Sequence, residues 1–521
     1  MVGAACALAR LEERAIPDQP TDIKQMHPAE AQGSERVTRM GTASIPKLIV
    51  EFAVPSVVGM LVNGSYNLID SIFLGNAVGE IGLSVVTVAN PIMIVFMALA
   101  MLVGNGGNAL AALRLGAGNR DAAEKALGNV VMLSIVLSAI VAMVALNPAF
   151  LDWLLTASSA TDEVRPQARV FIQILCFGFV FQCIGMGVNN FIRTAGAPAR
   201  ALGTMVIGLV AATAFNFLFV IVLGWGVAGS AIATIAGTAC SAVAVLWYFL
   251  RTPDVPLRIR WRWMRPDLRV VGTILAFGFP SFAVQAGMAA VNFVLNFQLV
   301  KYGAMSPIGA EDALASIGVL NRIGMFSVMP VIGIAVAIQP LLGYNYGAKK
   351  IDRVRKTLWL GIAAATGFCV IEWAVIMLLP DAIAAAFGIT HEGLVAFTVF
   401  ALRVQFLMLP FVGFQIVSSN YFQATGQPAK SIFLTLTRQI LFLIPLLLVM
   451  PDVLPRIAPA FTGLDALYFA APISDFLSIF TTALFVAWEM RRLRKLQASV
   501  AVDGSAADSS ASPTPVAAAE E

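Results

Sequence analysis

The feature that most constrains the fold is a series of twelve apolar segments that occupy almost all of the chain between Ile45 and Trp488. Their approximate cores are residues 48–74, 84–109, 127–148, 169–192, 201–223, 227–250, 270–300, 313–342, 356–379, 394–422, 431–450 and 465–488. A bilayer offers no water to the backbone, so segments of about 20 apolar residues predict membrane-spanning helices. We therefore predict an all-α membrane protein with twelve transmembrane helices.

Composition supports this class. Of the 521 residues 59% are apolar and 12% charged, whereas soluble proteins average about 25% charged residues. A soluble, a disordered and a nucleic-acid-binding protein are thereby excluded. The five cysteines have no ligand spacing, and His27 and His391 are far apart. We predict no enzyme, no cofactor and no metal site other than a possible Na⁺ site near Asp70.

The placement of Lys and Arg predicts the orientation. One set of alternate loops is rich in these residues, above all between Arg251 and Arg269, whereas the other set carries few: Arg165, Arg169, Lys301 and Arg456. Both termini are therefore expected in the cytoplasm. Residues 1–44 are predicted to be a disordered tail, and residues 489–521 a basic and then disordered tail.

The chain repeats itself. The segment Asn190–Arg200 (NFIRTAGAPAR) recurs as Asn420–Lys430 (NYFQATGQPAK), with the Asn, Gly, Pro and Ala in common. We predict two six-helix bundles, residues 45–250 and 270–488, joined by a basic linker at residues 251–269. Six spans return the chain to the same side, so the repeats are parallel and related by a pseudo-two-fold axis along the membrane normal. Transporters of this plan bind substrate between the bundles and alternate access by rocking them.

Asp70 is the sharpest functional candidate, because it lies inside the first span with no basic residue within several turns. A desolvated carboxylate favours its neutral acid, and intramembrane carboxyls commonly carry protons or bind cations. The alternative is a structural carboxyl satisfied by hydroxyl and amide groups.

The remaining polar residues within the spans are weaker candidates. Asp475 and Arg438 could form a structural ion pair or a gate, and Glu372 is a further carboxylate of the second half. Substrate or gating roles are also open to three amides, for which interhelical hydrogen bonding is the alternative: Asn67, Gln285 and Asn292.

The sequence resembles the multidrug and toxic compound extrusion (MATE) family, most closely its bacterial multidrug-efflux branch. Four segments carry the resemblance: residues 67–75 (NLIDSIFLG), 192–198 (IRTAGAP), 342–350 (LGYNYGAKK) and 423–428 (QATGQP). The resemblance implies efflux of organic cations driven by Na⁺ or H⁺, and a location in the plasma (inner) membrane of a bacterial cell. It also implies a cation-coupling site at Asp70, Asn189, Asn216 and Thr234.

Asn216 stands where the family usually has Asp. A site with one carboxylate should hold Na⁺ weakly, since hard cations take several oxygen ligands. We therefore favour H⁺ coupling at Asp70, and keep Na⁺ coupling, or coupling at Asp475 or Glu372, as alternatives.

The leading hypothesis is an antiporter, expected to be monomeric, that exports small amphipathic or cationic compounds in exchange for H⁺ or Na⁺. The alternatives are an exporter or flippase of lipid-linked saccharides and another transporter with twelve spans. The signature of the major facilitators is absent after the second predicted span, where residues 115–121 read LGAGNRD.

Overall fold

The computed structural model of the chain describes residues 28–157, 162–253, 255–305, 310–387, 392–459 and 461–510. Every regular element in these ranges is a helix. The long helices carry the apolar segments of the sequence. His27 and His391 lie outside the described residues.

Sixteen helices with α-helical geometry follow one another in these ranges, and a 3-10 helix, Trp261–Met264, lies between the eighth and the ninth. They are α1 Pro28–Thr42, α2 Ile45–Ala77, α3 Glu80–Gly116, α4 Arg120–Ala145, α5 Pro148–Ala157, α6 Arg165–Thr194, α7 Pro198–Val222, α8 Gly226–Arg251, α9 Leu268–Gly303, α10 Ala310–Gly347, α11 Ile351–Leu378, α12 Pro380–Ala386, α13 Glu392–Gln405, α14 Leu409–Ala424, α15 Pro428–Ile457 and α16 Gly463–Ser510. π-Helical turns interrupt α6 at Cys183–Val188, α7 at Phe217–Val222 and α15 at Thr437–Leu443.

The described helices include 11 that are long and apolar enough to cross a membrane, and α13 with α14 form a bent pair that makes up to 12. The two members of this pair meet at 43°. The break falls just before Pro410, whose ring cannot continue an α-helical hydrogen-bond ladder. The predicted all-helical membrane fold is therefore confirmed, with 11 or 12 candidate spans among the described residues.

The repeated loop sequences have a common geometry. Gly196 and Gly426 adopt φ values of 79° and 76°, a left-handed conformation that glycine reaches without a Cβ clash. Each is followed by a proline, Pro198 or Pro428, in the first turn of the next helix, where its missing N–H costs nothing. A glycine that ends one helix and a proline that starts the next explain why these residues recur in both halves.

The two halves pack reciprocally. Helix α2 of the first half contacts α10 of the second, and α9 of the second half contacts α3 of the first. Within the halves, α7 packs against α8 and α11 against α14. In each half the first helix therefore lies against the second helix of the other half, as a two-fold relation requires.

The tightest contacts between the halves lie in the part of the molecule that is nearer to the basic loops. A Cβ atom at Gly278 of α9 would lie 1.7 Å from the carbonyl oxygen of Leu102 in α3. One at Gly106 would lie 2.0 Å from the carbonyl oxygen of Ile274. Only glycine permits backbones to approach so closely. This end of the molecule is therefore closed between the halves.

Amide side chains join the halves at the same depth. Asn105 of α3 donates a hydrogen bond of 3.0 Å to Ser281 of α9, and Asn108 lies 3.5 Å from Gln339 of α10. Within the second half, Gln423 of α14 donates to the same Ser281 hydroxyl at 3.1 Å. Since all of these groups are neutral, the contacts can be exchanged for water without leaving a buried charge.

The linker packs against the first half. Arg260 forms an ion pair of 2.9 Å with Glu124 of α4, whose side chain is fully buried. Asp267 caps α9 by accepting from the backbone N–H groups of Arg269 and Val270. The Lys125 ammonium, which donates to Asp267, holds the pKa of that carboxyl below its ordinary value.

The prediction of disordered tails is wrong at their inner ends. Residues 28–42 form α1, and Met40 on this helix is 1% exposed. At the other end, α16 continues through the basic segment after residue 488 and into the part predicted to be disordered, as far as Ser510. Residues 1–27 and 511–521, also predicted to be disordered, lie outside the described residues.

Arg353 holds the end of α1 against the second half. Its Nη2 donates to the carbonyl oxygens of Met40 at 3.1 Å and Ala43 at 2.6 Å, while Nε donates to Asn345 at 3.1 Å. Lys350 adds a bond of 2.9 Å to the carbonyl of Gly41. Charged donors from the second half thus fix a segment that has few apolar residues of its own.

Replacing Arg353 with Ala is expected to release α1. Hydrogen bonds to a charged group contribute about 1.5–3 kcal/mol, so amide exchange over residues 36–43 should accelerate about 10- to 100-fold. Arg355→Ala is the matched control, because its guanidinium lies 4.0 Å from an exposed Asp352. Equal exchange in both variants, measured by mass spectrometry, would contradict this assignment.

Candidate functional site

Asp70 lies in α2 with 4% of its surface exposed. Its two carboxylate oxygens accept hydrogen bonds from two other helices: Asn216 Nδ2 of α7 donates to Oδ1 at 2.9 Å, and Thr234 Oγ1 of α8 donates to Oδ2 at 2.8 Å. Neutral donors therefore satisfy this carboxylate, and no described basic side chain pairs with it.

Close packing of α7 and α8 brings the two donors to one carboxylate. A Cβ atom at Gly237 of α8 would lie 2.4 Å from the Cβ of Ala212 in α7, so the helices approach within the reach of short side chains. Asn216 ends the α-helical part of α7. Its Nδ2 also donates a hydrogen bond of 3.1 Å to the carbonyl oxygen of Ala212. This bond fixes the amide with its nitrogen towards Asp70.

A cavity of about 160 Å³ opens beside Asp70. Asp70 is the only carboxylate among the residues that line it. Its other lining residues are aromatic, methionine, aliphatic, glycine or neutral polar. The aromatic and methionine residues are Tyr66, Phe96, Phe181, Met93, Met97, Met186 and Met205. Aromatic faces attract cations, and unbranched methionines adapt to ligands of different shape. The cavity is thus chemically suited to an apolar cation.

Asn189, the fourth residue of the predicted cation site, is not brought to Asp70. Its amide donates to the carbonyl of Ala201 at 2.9 Å and to Thr204 Oγ1 at 2.7 Å, both in the first turns of α7. The π-helical turn that ends at Val188 changes the direction of the following side chains. Asn189 therefore joins α6 to α7, and the cluster around Asp70 consists of Asp70, Asn216 and Thr234.

The second-half candidates do not form one site. Arg438 Nε donates to Asp475 Oδ1 at 2.7 Å, so these two residues form the ion pair that the sequence suggested. Glu372 lies on α11 and accepts a bond of 2.6 Å from Ser327 of α10. Its other carboxylate oxygen is buried without a hydrogen-bond partner.

The remaining amide candidates have ordinary environments. Gln285 is half-buried on α9, and Asn292 is exposed and donates to the carbonyl of Met288 one turn earlier at 3.0 Å. Asn67 lies on α2, and its side chain is outside the described part of the structure.

Sequence reasoning missed Tyr66 and the amide pair Asn105 and Asn108. Tyr66 lies one turn before Asp70 and lines the same cavity. The two asparagines occur in the stretch GNGGNALAA at residues 104–112, where small residues flank amides inside an apolar span. That combination is typical of a close helix–helix contact and could have indicated the interface between the halves.

The oxygen atoms near Asp70 give a sparse cation site. Among the described residues no group of three or more His, Cys, Asp and Glu side chains could hold a metal ion. Asn216 Oδ1 and Ser230 Oγ are buried without hydrogen-bond partners. A sodium ion would have to combine such neutral oxygens with a single carboxylate.

The MatE family matches this chain twice, over residues 55–218 and over residues 280–449. The multidrug export protein MepA of Staphylococcus haemolyticus is 23% identical over 453 residues, which are 86% of this chain and 94% of MepA. The MepA of Staphylococcus aureus strain MRSA252 is 23% identical over 410 residues, covering 78% of this chain and 87% of MepA.

Solved structures share the fold. A crystal structure of MATE in the bent conformation has a TM-score of 0.79 at 24% identity and covers 90% of this chain and 99% of that chain. The outward-facing conformation of a multidrug resistance MATE family transporter of the MOP superfamily has a TM-score of 0.78 at 24% identity, covering 92% of this chain and 100% of that chain. Because the family match covers more than half of the sequence, with one segment in each half, the chain belongs to the MatE family, the MATE transporters.

Proposed function

We propose that this MATE transporter is an antiporter that exports amphipathic organic cations in exchange for protons. The observation that carries the proposal is the position of Asp70, the single carboxylate in a cavity whose other lining residues are uncharged and include three aromatic residues and four methionines. The MepA relatives are multidrug export proteins by name, and this proposal extends that activity to the present chain.

Competition for Asp70 provides the coupling. As a carboxylate, Asp70 attracts an organic cation whose apolar body contacts Tyr66, Phe96 and Phe181. A proton that arrives from outside converts Asp70 to the neutral acid and removes that attraction, so the cation leaves. Because the proton and the organic cation cannot occupy the Asp70 carboxyl together, export consumes one inward-moving proton for each cation that is released.

Closure between the halves prevents the cation from returning to the cell. If the basic loops face the cytoplasm, the tight contacts at Gly106 and Gly278 close the cytoplasmic side. This conformation would therefore release substrate to the exterior. Rocking of the halves would exchange the neutral contacts between Asn105, Ser281, Asn108 and Gln339 for water and open the cavity inward.

The donors around Asp70 favour a proton over a sodium ion. Asn216 directs an amide hydrogen, not a lone pair, towards the carboxylate, and the single hydroxyl hydrogen of Thr234 has Asp70 and the carbonyl of Ser230 as acceptors. A hard cation needs several oxygen ligands, so Na⁺ binding would require at least the Asn216 amide to turn over. A proton needs only the carboxylate itself.

Replacing Asn216 with Asp is expected to create a sodium site. The substitution places a second carboxylate about 3 Å from Asp70, and Na⁺ would relieve the repulsion between them. Exchange of Na⁺ for K⁺ should lower the melting temperature of Asn216→Asp by about 1–3 °C and leave the unchanged protein unaffected. A saturable stabilisation of the unchanged protein by Na⁺ would contradict proton coupling.

The export function is tested in a bacterial host that lacks its own drug exporters. Expression of the chain should reduce the accumulation of ethidium, a fluorescent organic cation, and a protonophore should restore accumulation. Equal accumulation with and without the chain at verified expression would reject cation export. The exporter of lipid-linked saccharides would then be the next hypothesis.

A further inference from the structure

The feature that export does not explain is Arg193, a buried cation at the end of α6. Its side chain is 2% exposed, which makes it the largest fully buried side chain of the described structure. Nη1 donates to Asn190 Oδ1, and Nη2 lies 3.7 Å from the sulfur of Met205. Nε is buried without a hydrogen-bond partner. Among the described residues no carboxylate forms an ion pair with it.

The guanidinium faces a small cavity of about 20 Å³. The polar residues that line the cavity with Arg193 are neutral amides: Asn63, Asn105, Asn189 and Asn190. The remaining lining residues are apolar, so the site contains a positive charge, hydrogen-bond donors and no acid. Such a volume is sufficient for one water-sized particle.

A guanidinium that has lost its water needs a counter-charge, because neutral partners only partly replace its hydration. Its planar fork of N–H groups suits a carboxylate or another small anion. We propose that Arg193 binds one monovalent anion in this cavity, either a halide ion or the carboxylate group of a bound amphipathic compound.

The position of the site gives it a role in substrate selection, and this role rests on the proposed export function. Asn63, Met186 and Met205 line both the small cavity and the larger cavity that contains Asp70. Arg193 Nη2 lies near Gly59, about three turns of α2 before Asp70. A compound with an amine at one end and a carboxylate at the other would therefore find opposite charges at the two ends of one cavity system.

Equilibrium binding of radioactive chloride (³⁶Cl⁻) to the purified chain, in gluconate buffer, tests the site without any transport. We expect saturable binding of one chloride per chain, weakened at least tenfold in Arg193→Gln and partly retained in Arg193→Lys. Arg403→Gln is the matched control, because Arg403 is an exposed arginine of the other half. It should bind chloride as the unchanged protein does.

Asn190→Asp provides a second variant in case Arg193→Gln does not fold. The new carboxylate would lie at the atom to which Arg193 already donates, and Asn105 could turn its amide to donate to it. An internal counter-charge should abolish chloride binding and raise the melting temperature in chloride-free buffer. Unchanged chloride binding by a folded Asn190→Asp protein would overturn the proposal.

The source of the anion is decided by a competition experiment. An amphipathic aminocarboxylate is compared with its methyl ester as a ligand. If chloride binds, only the acid should displace it. If chloride does not bind, the acid should still bind, and its binding should depend on Arg193. Either result supports the site. Absence of any Arg193-dependent binding of chloride and of the acid would overturn it, and this outcome would leave the ethidium export test unaffected.

Discussion

Replacing Asp70 with Asn is expected to reduce proton-driven cation export by about 100-fold or more, the range typical of losing a proton-transfer group. The amide keeps the size of the side chain and can still bond to Asn216 and Thr234. It neither carries a proton nor attracts a cation. The melting temperature should therefore change little, while ethidium efflux in cells or liposomes falls to the level of controls without the transporter.

Glu372→Gln is the matched control for this variant. Glu372 is also a half-buried carboxyl within a span, but it lies in the second half and bonds to Ser327. We expect export to persist in Glu372→Gln. Retained export in Asp70→Asn together with its loss in Glu372→Gln would contradict the assignment of Asp70 and move coupling to the second half.

Replacing Gly278 with Ala is expected to prevent closure between the halves. The new methyl group would lie 1.7 Å from the Leu102 carbonyl oxygen, a contact that cannot exist without separation of α3 from α9. Overpacking of this kind costs about 3 kcal/mol, enough to shift the ratio of the two conformations by about 100-fold. A membrane-impermeant maleimide should then label Ser281→Cys from the side of the basic loops, in a background without the five native cysteines.

Gly272→Ala on the same helix is the control, because a Cβ atom there meets nothing within 4 Å. It should leave both the labelling and the transport rate unchanged. Equal labelling of Ser281→Cys in the Gly278 and Gly272 variants would show that this close contact does not determine the conformation.

The spans and the duplication could be predicted because they depend on local patterns. Apolar length alone identifies a membrane helix, and the recurrence of Gly196 and Pro198 as Gly426 and Pro428 reflects one turn geometry used twice. Helix α1 could not be predicted in this way. Its polar sequence has little tendency to bury itself, and donors such as Arg353, which is distant in the chain, fix its end.

The site was only partly predictable for a similar reason. An acid in an apolar span identifies Asp70 from the sequence, but the resemblance, not the pattern, suggested Asn216 and Thr234. Asn189 follows a π-helical turn, so a period of 3.6 residues does not give its direction. Arg193 comes directly after the predicted span core 169–192, where a basic residue is expected in a loop, and it is buried in the structure because α7 and α3 pack over the end of α6.

The most direct test of proton coupling is uptake of ethidium into liposomes that contain the purified transporter, with the driving gradient imposed across the membrane. The account predicts concentrative uptake when a proton gradient is applied and none above background when a sodium gradient is applied at equal pH. Uptake driven by sodium and unaffected by the proton gradient would contradict the account.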